Sequence, residues 1–519
     1  MPGSPDDVAF GPGAIYAVAP LAAHVLPQHR YEPPGTNTNQ RPTSKTRGAT
    51  MSDFTLTIGG KSIATEKTFG VINPATEEIF AQAPDASRED LDAAVRAANA
   101  AFPAWRDTSL EDRRAVLHAM ADRVESEIAS IAEILVHEQG KSLANAQFEA
   151  GGTAAWLRAT AATDLPTEIL SETDSQRVEL RRRPHGVVGA ITPWNFPLLL
   201  SIWKVGPALV MGNTMVLKPS PYTPLAVLRF GEIVREVVPD GVLNVVSGGD
   251  ELGRWITEHD DIHKISFTGS APTGKKIMSS AAGTLKRITL ELGGNDAAIV
   301  RSDANPSKVA GPIFDMAFQN SGQVCGAIKR LYVHDDIYDA VCNELVKHAE
   351  GKKVGNGMEE GVDFGPVQNK MQFDRVCELA ESARKDGGRF LTGGKPSEGT
   401  GYFFPLTLVA DLTDGSRLVD EEPFGPILPI IRFTDDDDVL RRANDTVFGL
   451  GGSVWSADVD RATDMASQLE TGSAWVNQHF NLSPFLPFGG VKESGMGVEN
   501  GPWGLAEFTS AQVLNVKKD

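Results

Sequence analysis

Apolar positions recur at helical spacing in the first third of the chain. Leu91, Ala94, Val95, Ala98 and Phe102 share one face of a helix whose start is marked by Ser87 and Asp90, a capping-box pair. Ser109 with Asp112 repeats that signature ahead of Val116, Leu117, Met120, Val124, Ile128, Ile131 and Leu135, which predicts a second helix ending near Gly140. Further upstream, "MSDFTLTIGGKSIA" alternates and then turns at two glycines, the pattern of a hairpin. From about residue 187 the texture changes. "VVGAI", "TMVLK", "VLNVV" and "KISF" are short continuous apolar runs, the mark of buried parallel strands, with helical stretches such as "PLAVLRFGEIVREVV" between them. This alternation predicts a doubly wound α/β domain, whose ligands bind beyond the carboxyl ends of the strands. A second α/β segment begins past Gly293 and runs to about residue 490, without internal repeats. The acidic run "TDDDDVL" lacks the alternating spacing of calcium ligands and reads as the charged start of a helix.

The 519 residues suffice for two or three domains, and no apolar run is long enough to cross a bilayer. Residues 1–50 stand apart: rich in Pro, Gly, Thr and Ala, they carry no sustained period, and a disordered extension is expected there. Asp6 and Asp7 near the start, with no basic stretch leading into an apolar core, make this a poor signal peptide, and Met51 is read as the start of the folded protein. A net charge of −19 repels phosphate backbones and anionic lipid, so neither nucleic acid nor a membrane is an expected partner. Three cysteines, Cys325, Cys342 and Cys377, form no CxxC pair, which predicts neither a disulfide framework nor a thiolate metal site and points to a reducing, cytoplasmic setting. The ten histidines form no HExxH-like pair, and no catalytic metal is expected.

Four stretches carry candidate chemistry. After "KISF" comes "TGSAPTGKKI", where Gly269, Gly274 and Lys275 fall one residue short of a triphosphate-binding loop. Lys276 stands where the magnesium-holding hydroxyl belongs, which argues against a nucleoside triphosphatase. A glycine turn opening a helix still suits a dinucleotide pyrophosphate, or serves as a plain turn. "ITPWNFPLLLSIWKVGPAL" sets Trp194, Phe196 and Trp203 around Asn195. Pro193 and Pro197 fix an extended turn just after a strand, so Asn195 is either an amide in an aromatic core or a donor to a developing oxyanion. "LELGGND" ends an apolar run at Glu291, and "NSGQVCGAIKR" places Cys325 between small residues, where a thiol serves packing as readily as catalysis. Asn195, Glu291 and Cys325 are each expected to end or follow a strand, and together they supply an oxyanion donor, a base and a nucleophile. Cys342 and Cys377 lie in helical patterns and are read as spectators.

With "VLKPS", "FTGS", "EEPFGPI" and "LPFGGVKESG" added to "PWNFP", "LELGG" and "GQVC", the chain resembles the NAD(P)-dependent aldehyde dehydrogenases from about Met51 to its C-terminus. The resemblance implies an α/β fold with a Rossmann-like dinucleotide-binding domain (51–165 and 187–292), an α/β catalytic domain (293–490), and a small β oligomerisation flap (166–186 and 505–519). It implies oxidation of a small-molecule aldehyde to a carboxylic acid. Cys325 would form a thiohemiacetal and then a thioester, hydrolysed with Glu291 as base and with no histidine needed. Asn195 and the Cys325 N–H would hold the oxyanion, Lys204 and Glu499 would support proton transfer, and the small flanks Val324 and Gly326 would give substrate and cofactor room.

NAD or NADP would be held by Ile191, Trp194, Lys218, Ser220, Gly269, Ser270, Gly274, Leu292, Glu422 and Phe424. NAD-preferring members commonly carry a glutamate three residues after the lysine of "KPS". Here that position is Pro221, and NADP is expected to serve alongside NAD. A homodimer or homotetramer is implied, with Arg181, Arg182 and Arg183 on a protruding strand. Phe196, Leu200 and Trp203 suggest an apolar tunnel suited to aliphatic or aromatic aldehydes, while the loop "NQHFNLSPF" could add polar contacts. Glu291 favours water over coenzyme A as acyl acceptor, and the intact trio speaks against a non-catalytic descendant.

Overall fold

Five short apolar strands form the parallel centre of the first sheet, in the spatial order Leu243–Val245, Thr214–Lys218, Val187–Ile191, Lys264–Thr268, Arg287–Glu291. The chain runs outward from Val187–Ile191 to one side, then returns and continues on the other. The crevice between Val187–Ile191 and Lys264–Thr268 is therefore a topological switch point, with Ile191, Thr268 and Glu291 at its carboxyl rim. Antiparallel strands close both edges: the hairpin Leu56–Ile58 and Lys61–Ile63, which turns at Gly59 and Gly60 with φ of 58° and 74°, and the two-residue strand Gly495–Met496. The computed structural model describes residues 54–518, so the segment 1–50 lies outside the described residues.

The helix Arg88–Asp107 starts at the capping box of Ser87 and Asp90 and buries Leu91, Ala94, Val95 and Ala98, as its spacing predicts. The next pattern differs from its reading. It forms two helices, Leu110–Ser126 and Ile128–Gln139, broken at Glu127, whose φ of −118° and ψ of 11° are not helical. The Glu127 carboxylate accepts from Ser130 Oγ at 2.6 Å and from Arg229 at 3.2 Å, long-range chemistry that an apolar period does not encode. Gly140, at φ 94°, ends the second helix. The acidic run is a helix start: Asp435 accepts from the Asp438 N–H at 2.8 Å ahead of Asp436–Asn444.

The second sheet runs Arg389–Phe390, Thr407–Leu412, Ile427–Phe433, Ile328–His334, Asp296–Val300, Gly451–Trp455, Ser473–Val476, parallel except at its first strand. Its two faces belong to separate cores: Ala297 and Ile299 pack into one, Ala298 and Val300 into the other, the period-two alternation of a strand buried on both sides. Only residues 292–295 separate Glu291, at the carboxyl end of the first sheet, from Asp296, at the amino end of the second. Cys325 precedes Ile328–His334, so it sits at the amino end of a strand, contrary to the sequence expectation that it ends or follows one. Carboxyl ends of one sheet thus abut amino ends of the other. A third sheet pairs Thr509–Lys517, Gln176–Pro184 and Glu168–Glu172 antiparallel, with Arg181, Arg182 and Arg183 on its middle strand. Among the described residues no helix is long and apolar enough to cross a membrane.

Candidate active site

The loop carrying Cys325 follows a kinked turn in which Asn320 and Ser321 adopt φ of 50° and 57°. Several contacts fix it. Lys329 donates to the Cys325 carbonyl at 2.5 Å and to the Gly294 carbonyl at 2.8 Å. His479 lies with Nε2 2.9 Å from the Gly326 carbonyl and Nδ1 2.9 Å from Ser453 Oγ. Burial depresses its pKa to about 3, so the ring is neutral, with the proton on Nε2 and Nδ1 accepting from the hydroxyl. A Cβ at Gly326 would come 2.2 Å from the Phe480 ring, so the missing side chain accommodates Phe480 rather than leaving open room. The loop "NQHFNLSPF" accordingly brings an aromatic wall and a buried hydrogen bond to this place.

The Cys325 thiol faces an apolar pocket. Trp156 and Trp203 stack at 5.4 Å, Phe488 meets the edge of Trp203 at 6.0 Å, and Phe480 meets Phe488 at 5.7 Å. Leu200 and Phe196 complete the cluster that Cys325 joins. Burial pushes the thiol up to about 12, and Glu291, Asp296 and Glu422 push in the same direction while Lys329 opposes them. Thiolate is scarce there at neutral pH, and a nearby base has work to do.

Glu291, the last residue of its strand, is a carboxyl whose charge bears on this thiol. It is buried, and Oε1 has no hydrogen-bond partner among the described residues. Burial first, and Glu499 next, raise its pKa well above the usual carboxylate range. Gly489 packs closely beside it: a Cβ there would lie 2.6 Å from the Gly497 carbonyl oxygen and 3.2 Å from Oε1. Behind Glu291, Lys204 forms a fully buried ion pair with Glu499 and donates to Thr268 Oγ1 at 2.7 Å. A desolvated carboxyl with a free oxygen, backed by a buried ammonium–carboxylate pair, can take a proton from a thiol or water and pass it on.

Asn195 Nδ2 donates to the Gln323 carbonyl at 3.0 Å, which ties it to the cysteine loop and leaves its second N–H for another acceptor. Its own carbonyl accepts from Lys141 Nζ at 3.0 Å and Asn320 Nδ2 at 3.1 Å. Lys141 lies 3.9 Å from the centroid of the Phe196 ring and pairs with Glu149 at 2.5 Å, both side chains wholly buried. The other Glu149 oxygen accepts from the N–H groups of Leu198 and Leu199 at 3.0 and 3.2 Å, capping the helix Pro197–Val210, which has no side-chain cap of its own. Lys141, Glu149, Lys329 and His479 escaped the sequence reading. Each is a lone polar residue whose partners lie elsewhere in the chain.

Most residues read as cofactor-binding lie at or just beyond the carboxyl rim of the first sheet, with Gly274 inside the helix Ala271–Ala281; Glu422 and Phe424 precede Ile427–Phe433 of the second. Lys218 ends its strand buried; its ammonium donates to the Pro219 carbonyl at 3.2 Å, and its pKa falls to about 8 through burial, opposed by Asp250 and Asp85. Ser220 Oγ accepts from the Tyr222 N–H at 3.3 Å. Ser270 stands at the start of the helix Ala271–Ala281 without capping it, so the first N–H groups lack a side-chain acceptor. Ile191 closes its strand, Trp194 meets Phe424 edge-on at 5.2 Å, and Glu422 accepts from the Gly294 N–H at 3.1 Å and pairs with Lys329 at 3.0 Å. Gly269 and Gly274 are required by packing: a Cβ would come 2.4 Å from Phe267 and 2.7 Å from Leu292 respectively. An uncapped helix N-terminus and a buried lysine with no carboxylate in ion-pair reach among the described residues fit an anionic dinucleotide. Pro221 lies instead on a cavity of about 830 Å³ shared with Phe69, Tyr222, Met371, Arg375 and Tyr402. Among the described residues no three His, Cys, Asp or Glu side chains are grouped to hold a metal.

The profile described as the aldehyde dehydrogenase family matches residues 62–514. A probable aldehyde dehydrogenase from a Pseudomonas species is 40% identical over 472 residues, covering 90% of this chain and 95% of its own. Aldehyde dehydrogenase 1A1 of Bos taurus is 38% identical over 460 residues, covering 87% and 92%. Among solved structures, the NAD⁺ complex of an aldehyde dehydrogenase from Bacillus cereus superposes with a TM-score of 0.88 at 35% identity, over 93% of this chain and all of the other.

Proposed function

This chain belongs to the aldehyde dehydrogenase family, and on that premise we propose that it oxidises an apolar aldehyde to the carboxylic acid by covalent catalysis at Cys325. The enzyme is an oxidoreductase that uses NAD or NADP. What supports the covalent reading is the meeting of a thiol, an unpartnered buried carboxyl and a tethered amide where the two sheets abut.

Glu291 takes the proton of Cys325, and the sulfur adds to the aldehyde carbon. The carbonyl oxygen becomes an oxyanion held by the free N–H of Asn195 and the Cys325 N–H. A nicotinamide bound at this site would supply the hydride acceptor for collapse of the adduct. The carbon loses its hydrogen with the bonding electron pair, the C=O re-forms, and a thioester remains on Cys325. Glu291 then removes a proton from water, the hydroxide adds to the thioester, and the C–S bond breaks with both electrons on sulfur. Lys204 and Glu499 carry the proton from Glu291 outward. Lys218, Ser220 and the N-terminus of Ala271–Ala281 would hold the adenosine and pyrophosphate end, while Glu422 and Phe424 would orient the nicotinamide end. The aromatic walls exclude water and favour aliphatic or aromatic aldehydes over carboxylated ones.

The three-stranded sheet leaves Ile169, Leu170 and Val513 exposed, which supports a homodimer or homotetramer formed through it, and three free cysteines suit a reducing compartment such as the cytoplasm. The test is an assay of reduced-nicotinamide formation across chain-length, aromatic and carboxylated aldehydes, with and without coenzyme A. Turnover on apolar aldehydes without coenzyme A is expected. Turnover that requires coenzyme A would replace water as the acyl acceptor.

A further inference from the structure

Lys329 is the second residue of the strand Ile328–His334 and is 2% exposed. Its ammonium donates to the Cys325 carbonyl at 2.5 Å and the Gly294 carbonyl at 2.8 Å, and forms an ion pair with the Glu422 carboxylate at 3.0 Å. The three partners come from three separate parts of the site. One belongs to the nucleophile itself, one to the link that follows Glu291, and one to the carboxylate assigned above to the nicotinamide end.

We propose that Lys329 is a positioning residue of this reaction, tying the Cys325 loop to Glu422 and supplying the positive charge that favours the thiolate in an apolar pocket. The inference rests on the covalent role of Cys325 argued above. Its physical need is plain from the charges that face the sulfur. Glu291, Asp296 and Glu422 all disfavour a second negative charge there, and burial disfavours it further. Arg330, the nearest alternative cation in sequence, turns away to the carbonyls of Asn295 and Ala443 at 2.8 and 2.9 Å. His479 is neutral and bonded to the Gly326 carbonyl. Lys329 is the cation that offsets this crowd. Its anchorage on the Cys325 carbonyl also fixes how close the charge stands to the nucleophile.

A second consequence follows from the shared ammonium. Glu422 neutralises part of the field that Lys329 projects, so removing either charge moves the thiol in opposite directions. Loss of the Lys329 charge makes the thiolate rarer, and loss of the Glu422 charge makes it commoner. General loosening of the loop has no reason to produce shifts of opposite sign.

The test measures iodoacetamide alkylation of Cys325 by peptide mass spectrometry between pH 7 and 9, in the absence of aldehyde and cofactor. Well below the thiol pKa the rate follows the thiolate fraction, so a one-unit rise slows it about tenfold at every pH. Lys329→Met is expected to slow alkylation by about that factor, and Glu422→Gln to accelerate it severalfold. Equal rates in wild type and Lys329→Met, or shifts of the same sign in the two variants, would overturn the proposal. If Lys329→Met does not fold, Glu422→Gln decides alone: acceleration supports the field argument, and an unchanged or slower rate refutes it. Because this readout involves no turnover, its failure is distinct from failure of the covalent mechanism, which the activity of Cys325→Ser reports.

Discussion

The ammonium of Lys141 donates to the backbone carbonyl of Asn195 across 3.0 Å, and so the amide offered to the oxyanion hangs from a buried cation 54 residues earlier in the chain. That cation is balanced by Glu149, and both side chains are shielded from water. Lys141→Met leaves a buried carboxylate without its partner, a change that costs about 3–5 kcal/mol in comparable pairs. Urea denaturation is expected to report a loss of that order, with a smaller loss for Glu149→Gln, whose amide oxygen still accepts from Leu198 and Leu199. Equal stability of Lys141→Met and wild type would remove the pair from any supporting role.

Cys325→Ser is expected to abolish dehydrogenation while cofactor binding, followed by protein fluorescence, stays near wild type, since a hydroxyl in this pocket is a far weaker nucleophile. Cys342, buried in the helix Tyr338–Glu350, and Cys377, in Lys370–Lys385, lie outside the site. Their alanine variants should keep near-normal activity.

Glu291→Gln is expected to impair hydrolysis of the thioester more than its formation. Rapid mixing should then give a burst of reduced nicotinamide of about one equivalent per active site before slow turnover, the signature of an accumulating acyl-enzyme. A variant that loses rate with no burst would confine Glu291 to activation of the thiol. Glu499→Gln removes the carboxylate that raises Glu291, so the rising limb of the pH–rate profile should move to lower pH.

Stability should fall between about pH 6.5 and pH 8. Glu138 is raised to about 8 and Asp296 to about 7, both chiefly by burial, and Glu291 is raised as well. An acid whose folded pKa exceeds its unfolded value favours the fold while protonated. That contribution is complete below the unfolded pKa, near 4, and is lost as pH rises through the folded one. His185 and His479, lowered by burial to about 4 and about 3, act in the other direction below about pH 6.5, and Lys218 and Lys264, lowered to about 8, do so above about pH 8. A urea midpoint that climbs from about pH 6.5 to pH 8 would contradict the assignment.

Cofactor choice turns on the charges around Lys218. Pro221 carries no carboxylate to repel a 2′-phosphate, and NADP should therefore bind as well as NAD within about tenfold, one such contact amounting to about 1–3 kcal/mol. Asp250 and Asp85, which face Lys218, supply what repulsion there is. Asp250→Asn should tighten NADP relative to NAD, and Pro221→Glu should weaken it, both read as dissociation constants by titration calorimetry. Strong NAD preference unmoved by either change would place discrimination elsewhere.

The parallel strands were legible because a strand buried on both faces leaves an unbroken apolar run. "VVGAI", "TMVLK" and "KISF" occupy the centre of the first sheet as read. The break at Glu127 was not legible: the apolar period runs on through it, and its carboxylate bonds Arg229, 102 residues away. Cys325 was placed on the wrong end of a strand for a related reason: the rule that ligands gather at carboxyl ends holds within one sheet, and here two sheets meet end to end. Motif reading supplied Asn195 and Glu291, and the family resemblance Lys204 and Glu499; the fold ties Asn195 to the cysteine loop and pairs Lys204 with Glu499. Motif reading could not supply Lys141, Glu149, Lys329 or His479, whose work consists of holding backbone carbonyls and N–H groups and leaves no pattern of its own.

The pairing of Thr509–Lys517 with Gln176–Pro184 also bears on how the protein is made. At a synthesis rate of roughly 5–20 residues per second, the edge of Gln176–Pro184 waits on the order of 15–60 s for its partner strand to leave the ribosome. Glu499 reaches Lys204 equally late, 295 residues after it. Until then the nascent chain carries an unpaired strand edge and a buried-type ammonium without its counter-charge. An unpaired strand edge is a template for wrong pairing during this interval, and the Lys204–Glu499 pair cannot form until residue 499 has been made.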